Sequence, residues 1–275
     1  MVKLEIGNIC FSHGKKEILK GITFEAEGGE VVGILGQNGS GKTTLLNCIN
    51  TNYKPSEGNA IIVDFTEDSL DPGHELRQSS DVRNFTERER SRIIATVEQN
   101  SQQSFPFTVL ETVRMGRYSR SGIFDECDED EMGFLCGVMK DVGILEFAHR
   151  NACELSGGEW RRVMIAQALV QEPDILLLDE PTLHLDINHQ FDLMDLCRDL
   201  AKNRHLLIVI VTHDLMLAAR YCDKVLIMQS GKIISVGPTS ETITEELLAK
   251  VFHIKARVKY NETLGGVCIT FIGKI

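Results

Sequence analysis

The chain has 275 residues, with 29 Lys and Arg against 40 Asp and Glu, so its formal net charge is −11. This length fits one large domain, or one domain with a subdomain, and a hydrophobic content of 43% is enough for a packed core. The acidic balance argues against a nucleic-acid binder and against a basic membrane-surface protein, because both need an extended basic face to meet phosphates.

The sequence also predicts the compartment. Its longest apolar runs, such as residues 206–211, fall far below the roughly 18 residues that a membrane-spanning helix needs. The first residues lack the basic and apolar pattern of a secretory signal, which predicts an intracellular protein. The eight cysteines are scattered without any Cys-x-x-Cys pair, so we expect reduced thiols rather than disulfides or a zinc site.

In chain order, the first predicted elements are strands. Residues 2–9 alternate in part between apolar and polar side chains, residues 22–27 alternate throughout, and a glycine pair then marks a turn. Residues 31–35 are a short apolar run, typical of a strand that is buried on both faces. A glycine-rich loop follows, and residues 43–49 have helical character. Strand, glycine-rich loop and helix in this order indicate an α/β nucleotide-binding fold.

Buried-strand patterns recur later in the chain, at residues 175–178 and 206–211. A helical stretch at 159–171 precedes the first of these strands and another at 187–202 lies between the two, which predicts a mostly parallel sheet with helices on its faces. Residues 107–152 show helical periods without strands. We interpret them as a helical subdomain inserted into the sheet domain.

Four further segments have local signals of their own. Residues 64–91 are polar with little periodicity, which predicts an elaborated loop. Thr108-x-x-Glu111 is a capping box that starts the first helix of the insertion. The acidic run 125–131 indicates a solvated helix start, because acidic side chains are favoured at helix N-termini. Residues 257–275 indicate a hairpin whose turn lies near a second glycine pair.

Residues 36–43 match the pattern G-x-x-x-x-G-K-[ST] in full, between the buried strand and the helix. In this pattern glycines let backbone N–H groups close around phosphates, Lys42 reaches the β- and γ-phosphates, and the Thr43 hydroxyl can ligate Mg²⁺. The sequence therefore predicts a nucleoside triphosphate site. The predicted nucleotide-binding residues in this segment and directly after it are Gly36, Gln37, Asn38, Gly39, Ser40, Gly41, Lys42, Thr43 and Thr44.

Two acidic residues follow the buried strand at 175–178. A carboxylate at this end of the strand lies beside the phosphate-binding loop, so Asp179 is predicted to hold Mg²⁺ directly or through water. Glu180 comes next and is predicted to orient or deprotonate an attacking water molecule.

Residues 155–159, Leu-Ser-Gly-Gly-Glu, resemble the signature motif of ATP-binding cassette (ABC) ATPases, which is usually written LSGGQ. The motif lies between the helical region and the strand before Asp179, as it does in that family. Its first and last polar residues also form a capping box, and its glycines leave N–H groups accessible at the positive helix end. The implied signature residues, which contact the ATP of a partner copy, are Ser156, Gly157, Gly158 and Glu159. Glu159 stands where the family has Gln, and either residue can complete a capping box.

The resemblance covers nearly the whole chain and implies further site residues. Asp186 resembles the D-loop aspartate that reaches across a dimer interface, and His213 matches the switch histidine that contacts the γ-phosphate. The adenine-stacking position falls on His13, where tyrosine is usual, with Phe11 as the alternative. Gln99 resembles the Q-loop glutamine. The implied Mg²⁺ ligands are Thr43, Gln99 and Asp179, and the implied catalytic residues are Glu180, His213 and Gln99.

The family has a P-loop NTPase core of α/β class, with a mostly parallel sheet, an antiparallel β subdomain and an inserted α-helical subdomain. On this resemblance we expect an ATPase domain over residues 1–255, with its helical subdomain at about 100–172, and a β-hairpin extension over 256–275. The resemblance also implies ATP and Mg²⁺ as cofactors. It implies a head-to-tail homodimer in which ATP lies between the phosphate-binding loop of one copy and the signature of the other.

Residues 104–118, 180–186 and 246–252 resemble the ATPase subunits of importers for iron-siderophores, haem and cobalamin. The resemblance implies ATP hydrolysis at the cytoplasmic face of the cell membrane, on separate permease subunits served by an extracytoplasmic substrate-binding protein. No nucleic-acid partner is expected. Molybdate or tungstate importers share much of this pattern, and an exporter subunit differs mainly in its partner. A soluble ABC ATPase without a transport role is the alternative from another class.

Overall fold

The computed structural model describes residues 2–57, 61–65, 80–99, 106–120, 128–263 and 265–275. The strands within these ranges are β1 (Val2–His13), β2 (Lys16–Glu27), β3 (Val31–Gly36), β4 (Ile61–Phe65), β5 (Ser80–Asp81), β6 (Ile94–Val97), β7 (Ile175–Asp179), β8 (Leu207–Val211), β9 (Lys224–Gln229), β10 (Lys232–Pro238), β11 (Ile254–Asn261) and β12 (Gly266–Lys274). The α-helices are α1 (Lys42–Ile49), α2 (Glu87–Ile93), α3 (Val109–Arg114), α4 (Glu129–Asp141), α5 (Gly157–Leu169), α6 (Ile187–Arg204), α7 (Leu215–Tyr221), α8 (Thr239–Thr242) and α9 (Glu245–Leu247), and a π-helical turn covers Leu248–Phe252.

The central sheet has the strand order β10-β9-β3-β8-β7-β6. Its strands pair in parallel, except for the antiparallel pair of β9 and β10. β3, β7 and β8 are buried along their whole length, which explains their uninterrupted apolar runs. Because parallel strands end at the same edge of a sheet, the segments that follow these three strands lie side by side. The predicted mostly parallel sheet is confirmed.

A second sheet, in the order β2-β1-β4-β5, is antiparallel. Apolar residues of β1 and β2 share one hydrophobic core with α1 and with one face of the central sheet. The strands predicted at 2–9 and 22–27 are confirmed, and both extend further, to form the long hairpin of β1 and β2. The expected α/β fold with an antiparallel β subdomain is therefore present.

The helical region packs against the opposite face of the central sheet, in a second hydrophobic core. Thr108 caps α3 through a full capping box with Glu111, as predicted. Asp128 caps α4, whose first turn carries three acidic residues, so residues 128–131 confirm the predicted helix start. Residues 125–127 lie outside the described residues. Residues 106–120 and 128–152, the described part of this region, contain helices and single bridges but no strand.

The predicted loop at 64–91 is wrong in part. β4 extends into it to Phe65, and α2 begins at Glu87 after a full capping box between Thr86 and Glu89. α2 is almost entirely polar and buries only Ile93, so it has no apolar stripe for a periodicity argument to find. Residues 66–79 lie outside the described residues.

The hairpin near the end of the sequence consists of β11 and β12, and begins at Ile254, three residues before its predicted start. β12 packs against α7, where a Cβ at Gly266 would lie 3.3 Å from the Arg220 carbonyl oxygen. No helix in the described ranges is both long and apolar enough to cross a membrane.

Candidate nucleotide site

The phosphate-binding loop leaves β3 and ends in α1, and glycine is required at both of its ends. A Cβ at Gly36 would lie 2.4 Å from the Met228 carbonyl oxygen, so no side chain fits between β3 and β9. Gly41 caps α1 with φ of 102°, a left-handed conformation that glycine adopts without strain. The loop therefore closes tightly at both ends and presents backbone N–H groups at the start of α1.

The side chain of Lys42 lies within the curve of this loop. Its Nζ donates to the Gly36 carbonyl oxygen at 2.8 Å. Burial lowers the pKa of Lys42, while the negative charges of Glu180 and Asp179 act against that shift. A buried ammonium group with backbone acceptors at this position suits a phosphate oxygen, which would complete its hydrogen bonding.

Two oxygen donors lie together beside the lysine. The Thr43 hydroxyl donates to Asp179 Oδ1 at 3.3 Å, which joins the start of α1 to the end of β7. Burial raises the pKa of Asp179, and the hydrogen bond from Thr43 opposes the shift. A hydroxyl and a buried carboxylate are ligands that Mg²⁺ favours, so these two residues fit the ion. When bound there, Mg²⁺ would neutralise charge on the phosphate oxygens.

Glu180 and His213 form a direct pair on the same edge of the sheet. His213 Nδ1 lies 2.8 Å from Glu180 Oε2, although the two residues follow different strands. Glu180 has φ of 48°, in the left-handed region, and its N–H donates to the Val211 carbonyl oxygen at 2.9 Å. Strain of this kind at a non-glycine residue concentrates at functional sites. The carboxylate can accept a proton from water, while the imidazole fixes its orientation.

These groups surround one open cleft of about 760 Å³, a volume in the range of ligand pockets. Gln99 reaches it from the end of β6. The described residues that line the cleft are Gly36, Gln37, Asn38, Gly39, Gly41, Lys42, Thr43, Thr44, Gln99, Glu180, Leu183, His213 and Phe252. The structure thus brings together most of the predicted nucleotide-binding residues with Glu180, His213 and Gln99. Ser40 is buried beneath the loop, and its hydroxyl has no hydrogen-bond partner among the described residues.

Phe252 was not predicted to lie at the cleft. The Gln37 side-chain amide donates to the Val251 carbonyl oxygen at 2.8 Å, which holds the π-helical turn against the phosphate-binding loop. Phe252 follows directly and forms part of the cleft wall. No local signal marks Phe252, because the two hydrogen-bonded partners beside it are 214 positions apart in the sequence.

Arg161 is a second residue that the sequence analysis missed. It projects from α5 and donates to the carbonyl oxygens of Glu98 and Gln99, at 2.9 and 3.2 Å. Burial lowers the pKa of Arg161, and the charge of Asp179 acts against that shift. The helix that begins at the signature motif is therefore tied to the backbone that carries Gln99.

The remaining predicted residues lie elsewhere. His13 ends β1 and is exposed, and the described lining of the cleft does not include it. Phe11 stacks on Tyr53, with ring centroids 5.1 Å apart, so one face of its ring is already covered. The signature residues begin α5, where Ser156 and Glu159 form the predicted capping box. They and Asp186 do not line the cleft of their own chain either.

The fold and the site together define a nucleoside triphosphate-binding protein of the P-loop class. Residues 19–183 match the family described as ABC transporter, and the chain belongs to this family. Its ATP-binding members hydrolyse ATP, so the chain is an ATPase. An uncharacterised ABC transporter ATP-binding protein of Methanocaldococcus jannaschii is 36% identical over 96% of this chain and 95% of its own length.

Two relatives have names that state what they import. The hemin import ATP-binding protein of Streptomyces coelicolor is 37% identical, over 96% of this chain and 88% of its own. The cobalamin import ATP-binding protein of Halobacterium salinarum is 34% identical over 92% of this chain, which spans only 59% of that longer relative. A solved metal-chelate type ABC transporter in an inward-facing conformation shares the fold, with a TM-score of 0.80 at 23% identity over 100% of this chain and 98% of the other.

Proposed function

We propose that the chain is the ATP-hydrolysing subunit of an importer for a metal chelate, of the class of iron-siderophores, haem or cobalamin. In this proposal it lies at the cytoplasmic face of a membrane, on separate permease subunits that an extracytoplasmic binding protein serves. The substrate class rests on the two named import relatives, which match at least nine-tenths of this chain.

The observation that carries the catalytic part is the pairing of Glu180 with His213 beside the phosphate-binding loop. We assign the nucleotide to the loop, with Lys42 at the β- and γ-phosphates and Thr43, Asp179 and Gln99 around Mg²⁺. Glu180 aligns or deprotonates the attacking water, and His213 holds the carboxylate and meets the γ-phosphate. Catalysis is then positional and electrostatic, as in other phosphoryl-transfer sites.

We further propose a head-to-tail homodimer. The residues from Ser156 to Glu159 and Asp186 lie outside the cleft of their own chain, so one copy supplies only part of the assigned site. A second copy in the opposite orientation would add them to the other face of the nucleotide, and the interface would be the same for both copies. We assign adenine stacking to His13, since one face of the Phe11 ring is already occupied.

The proposal includes a domain organisation. The ATPase domain covers residues 1–255, with a helical subdomain at about 100–172, and residues 256–275 form the extension. β11 begins two residues before the proposed boundary and packs beside the π-helical turn.

The test is a pull-down of tagged Glu180→Gln chain from its own detergent-solubilised membranes with ATP and Mg²⁺ present. This variant keeps the phosphate-binding loop but should hydrolyse ATP very slowly, so it holds the ATP-bound complex. The control is a matched double variant, Lys42→Ala with Glu180→Gln, which lacks the lysine that binds the phosphates. The proposal expects a polytopic permease that is enriched with the single variant over the double variant.

Three outcomes would contradict parts of this proposal. Recovery of only soluble partners would contradict a transport role. The substrate class would be contradicted if the companion binding protein binds an oxyanion but does not bind haem, a corrinoid or a ferric siderophore. Hydrolysis by Glu180→Gln at the parent rate would contradict the catalytic assignment of Glu180.

A further inference from the structure

The second glycine of the signature motif is packed against an imidazole ring. A Cβ placed on Gly158 would lie 2.8 Å from Cδ2 and 3.0 Å from Cγ of His189, which is closer than side chains approach one another. Gly158 lies in the first turn of α5 without a left-handed φ, so its requirement is space rather than backbone conformation. At Gly157 the same construction meets only Leu185, at an ordinary 3.8 Å.

The same imidazole is bound to Asp186. Nδ1 of His189 lies 2.8 Å from Asp186 Oδ2, and the backbone N–H of His189 donates to Oδ1 at 3.0 Å. These bonds lower the pKa of Asp186, and because its ionised carboxylate only accepts, Nδ1 is the donor. The bond from the His189 N–H makes Asp186 the N-cap of α6, and both carboxylate oxygens of Asp186 are therefore engaged within its own chain.

One side chain therefore touches both motifs that were assigned to the partner's nucleotide. Gly158 belongs to the helix that starts at the signature motif, while Asp186 begins a helix whose apolar side packs into the core beneath the central sheet. Gly158 and the D-loop aspartate are 28 positions apart in the sequence, and His189 connects them in space.

We propose that His189 is a positioning residue that holds the signature loop and the D-loop of one copy at a fixed separation, so that both meet the partner's nucleotide as one rigid unit. The inference rests on the proposed head-to-tail dimer. Fixing the two loops before association lowers the entropy that is lost when the dimer forms around ATP. A nucleotide bound to one chain alone gains nothing from His189, because His189 does not line the cleft of its own chain.

The contact itself is tested by a stability cycle on the full chain. Gly158→Ala should lower the free energy of unfolding when His189 is present, because the new methyl group overlaps the ring. The loss should fall by more than half in a His189→Ala background, where the ring is absent. Gly157→Ala is the matched control and should have the same effect in both backgrounds. Equal effects of Gly158→Ala in both backgrounds would overturn the packing argument.

The positioning role is tested in the Glu180→Gln background, by sedimentation equilibrium with ATP and Mg²⁺. His189→Ala should raise the dimer dissociation constant about tenfold, because the signature loop and the D-loop of each copy would then be ordered only when the dimer forms. Binding of ADP to the single chain, measured by calorimetry, should not change. His189→Asn should restore most of the dimer affinity, because its amide N–H can take the place of Nδ1–H.

The outcomes separate this inference from the proposal beneath it. If the Glu180→Gln parent stays monomeric with ATP, the head-to-tail dimer is wrong and the inference falls with it. If the parent dimerises and His189→Ala dimerises with the same constant, the inference alone is wrong. Equal weakening of ADP binding and of dimer formation would also overturn it, since a general loss of structure would then explain both.

Discussion

Replacement of Arg161 by Met should distinguish two effects of this side chain: its effect on ATP hydrolysis through the placement of Gln99, and its effect on the stability of the helical region. Methionine keeps an apolar stem of similar length but removes the two N–H groups that bond the carbonyls of Glu98 and Gln99. A hydrogen bond from a charged donor contributes roughly 1.5 kcal/mol at the low end. Two such bonds on one half-buried guanidinium do not add fully, so we expect a loss of about 2 kcal/mol in the free energy of unfolding.

The matched control is Arg162→Met. Arg162 is the next residue of α5 and donates to the Val142 carbonyl oxygen at 2.9 Å, away from Gln99. Urea unfolding with linear extrapolation should show comparable losses for both variants. Steady-state ATP hydrolysis should distinguish them: Arg161→Met should lower kcat and raise the Mg²⁺ concentration for half-maximal rate, while Arg162→Met should change neither. Hydrolysis by Arg161→Met at the parent rate, with the parent's Mg²⁺ dependence, would refute the reasoning.

Three further variants test the charges of the site. Asp179→Asn should raise the free energy of unfolding of the nucleotide-free chain, because burial raises the pKa of Asp179 and its ionised form costs stability as pH rises through that pKa. The same variant should lose the Mg²⁺-dependent part of stabilisation by ATP. A lower melting temperature of the variant without nucleotide would contradict the destabilising effect of the buried charge. Glu159→Gln should lower stability at pH 7, because hydrogen bonds from Ser156 lower the pKa of Glu159 and so favour its ionised form in the folded chain. The difference from the parent should shrink as pH falls below about 4.5 and through this lowered pKa, and a gap that is constant from pH 7 to pH 3 would contradict a contribution of the ionised carboxylate. Lys42→Ala should abolish ATP binding by calorimetry, and unchanged affinity would refute the site.

The parts of the fold that could be predicted are those whose cause is local. β3, β7 and β8 are buried on both faces, so each leaves an unbroken apolar run in the sequence. The capping boxes of α3 and α5 depend on residues three apart and were equally visible. α2 has the same capping signal, but its polar surface and single buried residue gave no apolar periodicity to support it.

The residues of the site also fall into those that local sequence patterns predict and those that they do not. The phosphate-binding loop and the acidic pair after β7 are contiguous motifs, so their residues could be predicted together. Arg161 and Phe252 could not, because their positions depend on distant parts of the chain. Arg161 bonds the carbonyls after β6, and the Gln37 side chain bonds the carbonyl of the residue before Phe252. His189 carries no motif of its own, and its contact with Gly158 depends on how α5 and α6 pack. Such tertiary contacts are invisible to patterns that are read along one segment.

The position of β3 in the sheet has a consequence for how the chain matures during synthesis. β3 carries the phosphate-binding loop, and both of its neighbours, β8 and β9, come from the last third of the sequence. A nascent chain that ends at Arg204 therefore has a complete loop sequence but no strand on either side to hold it. The strands on both sides of the loop are complete only once residue 229 has left the ribosome, so binding of ATP to this loop cannot stabilise shorter nascent chains.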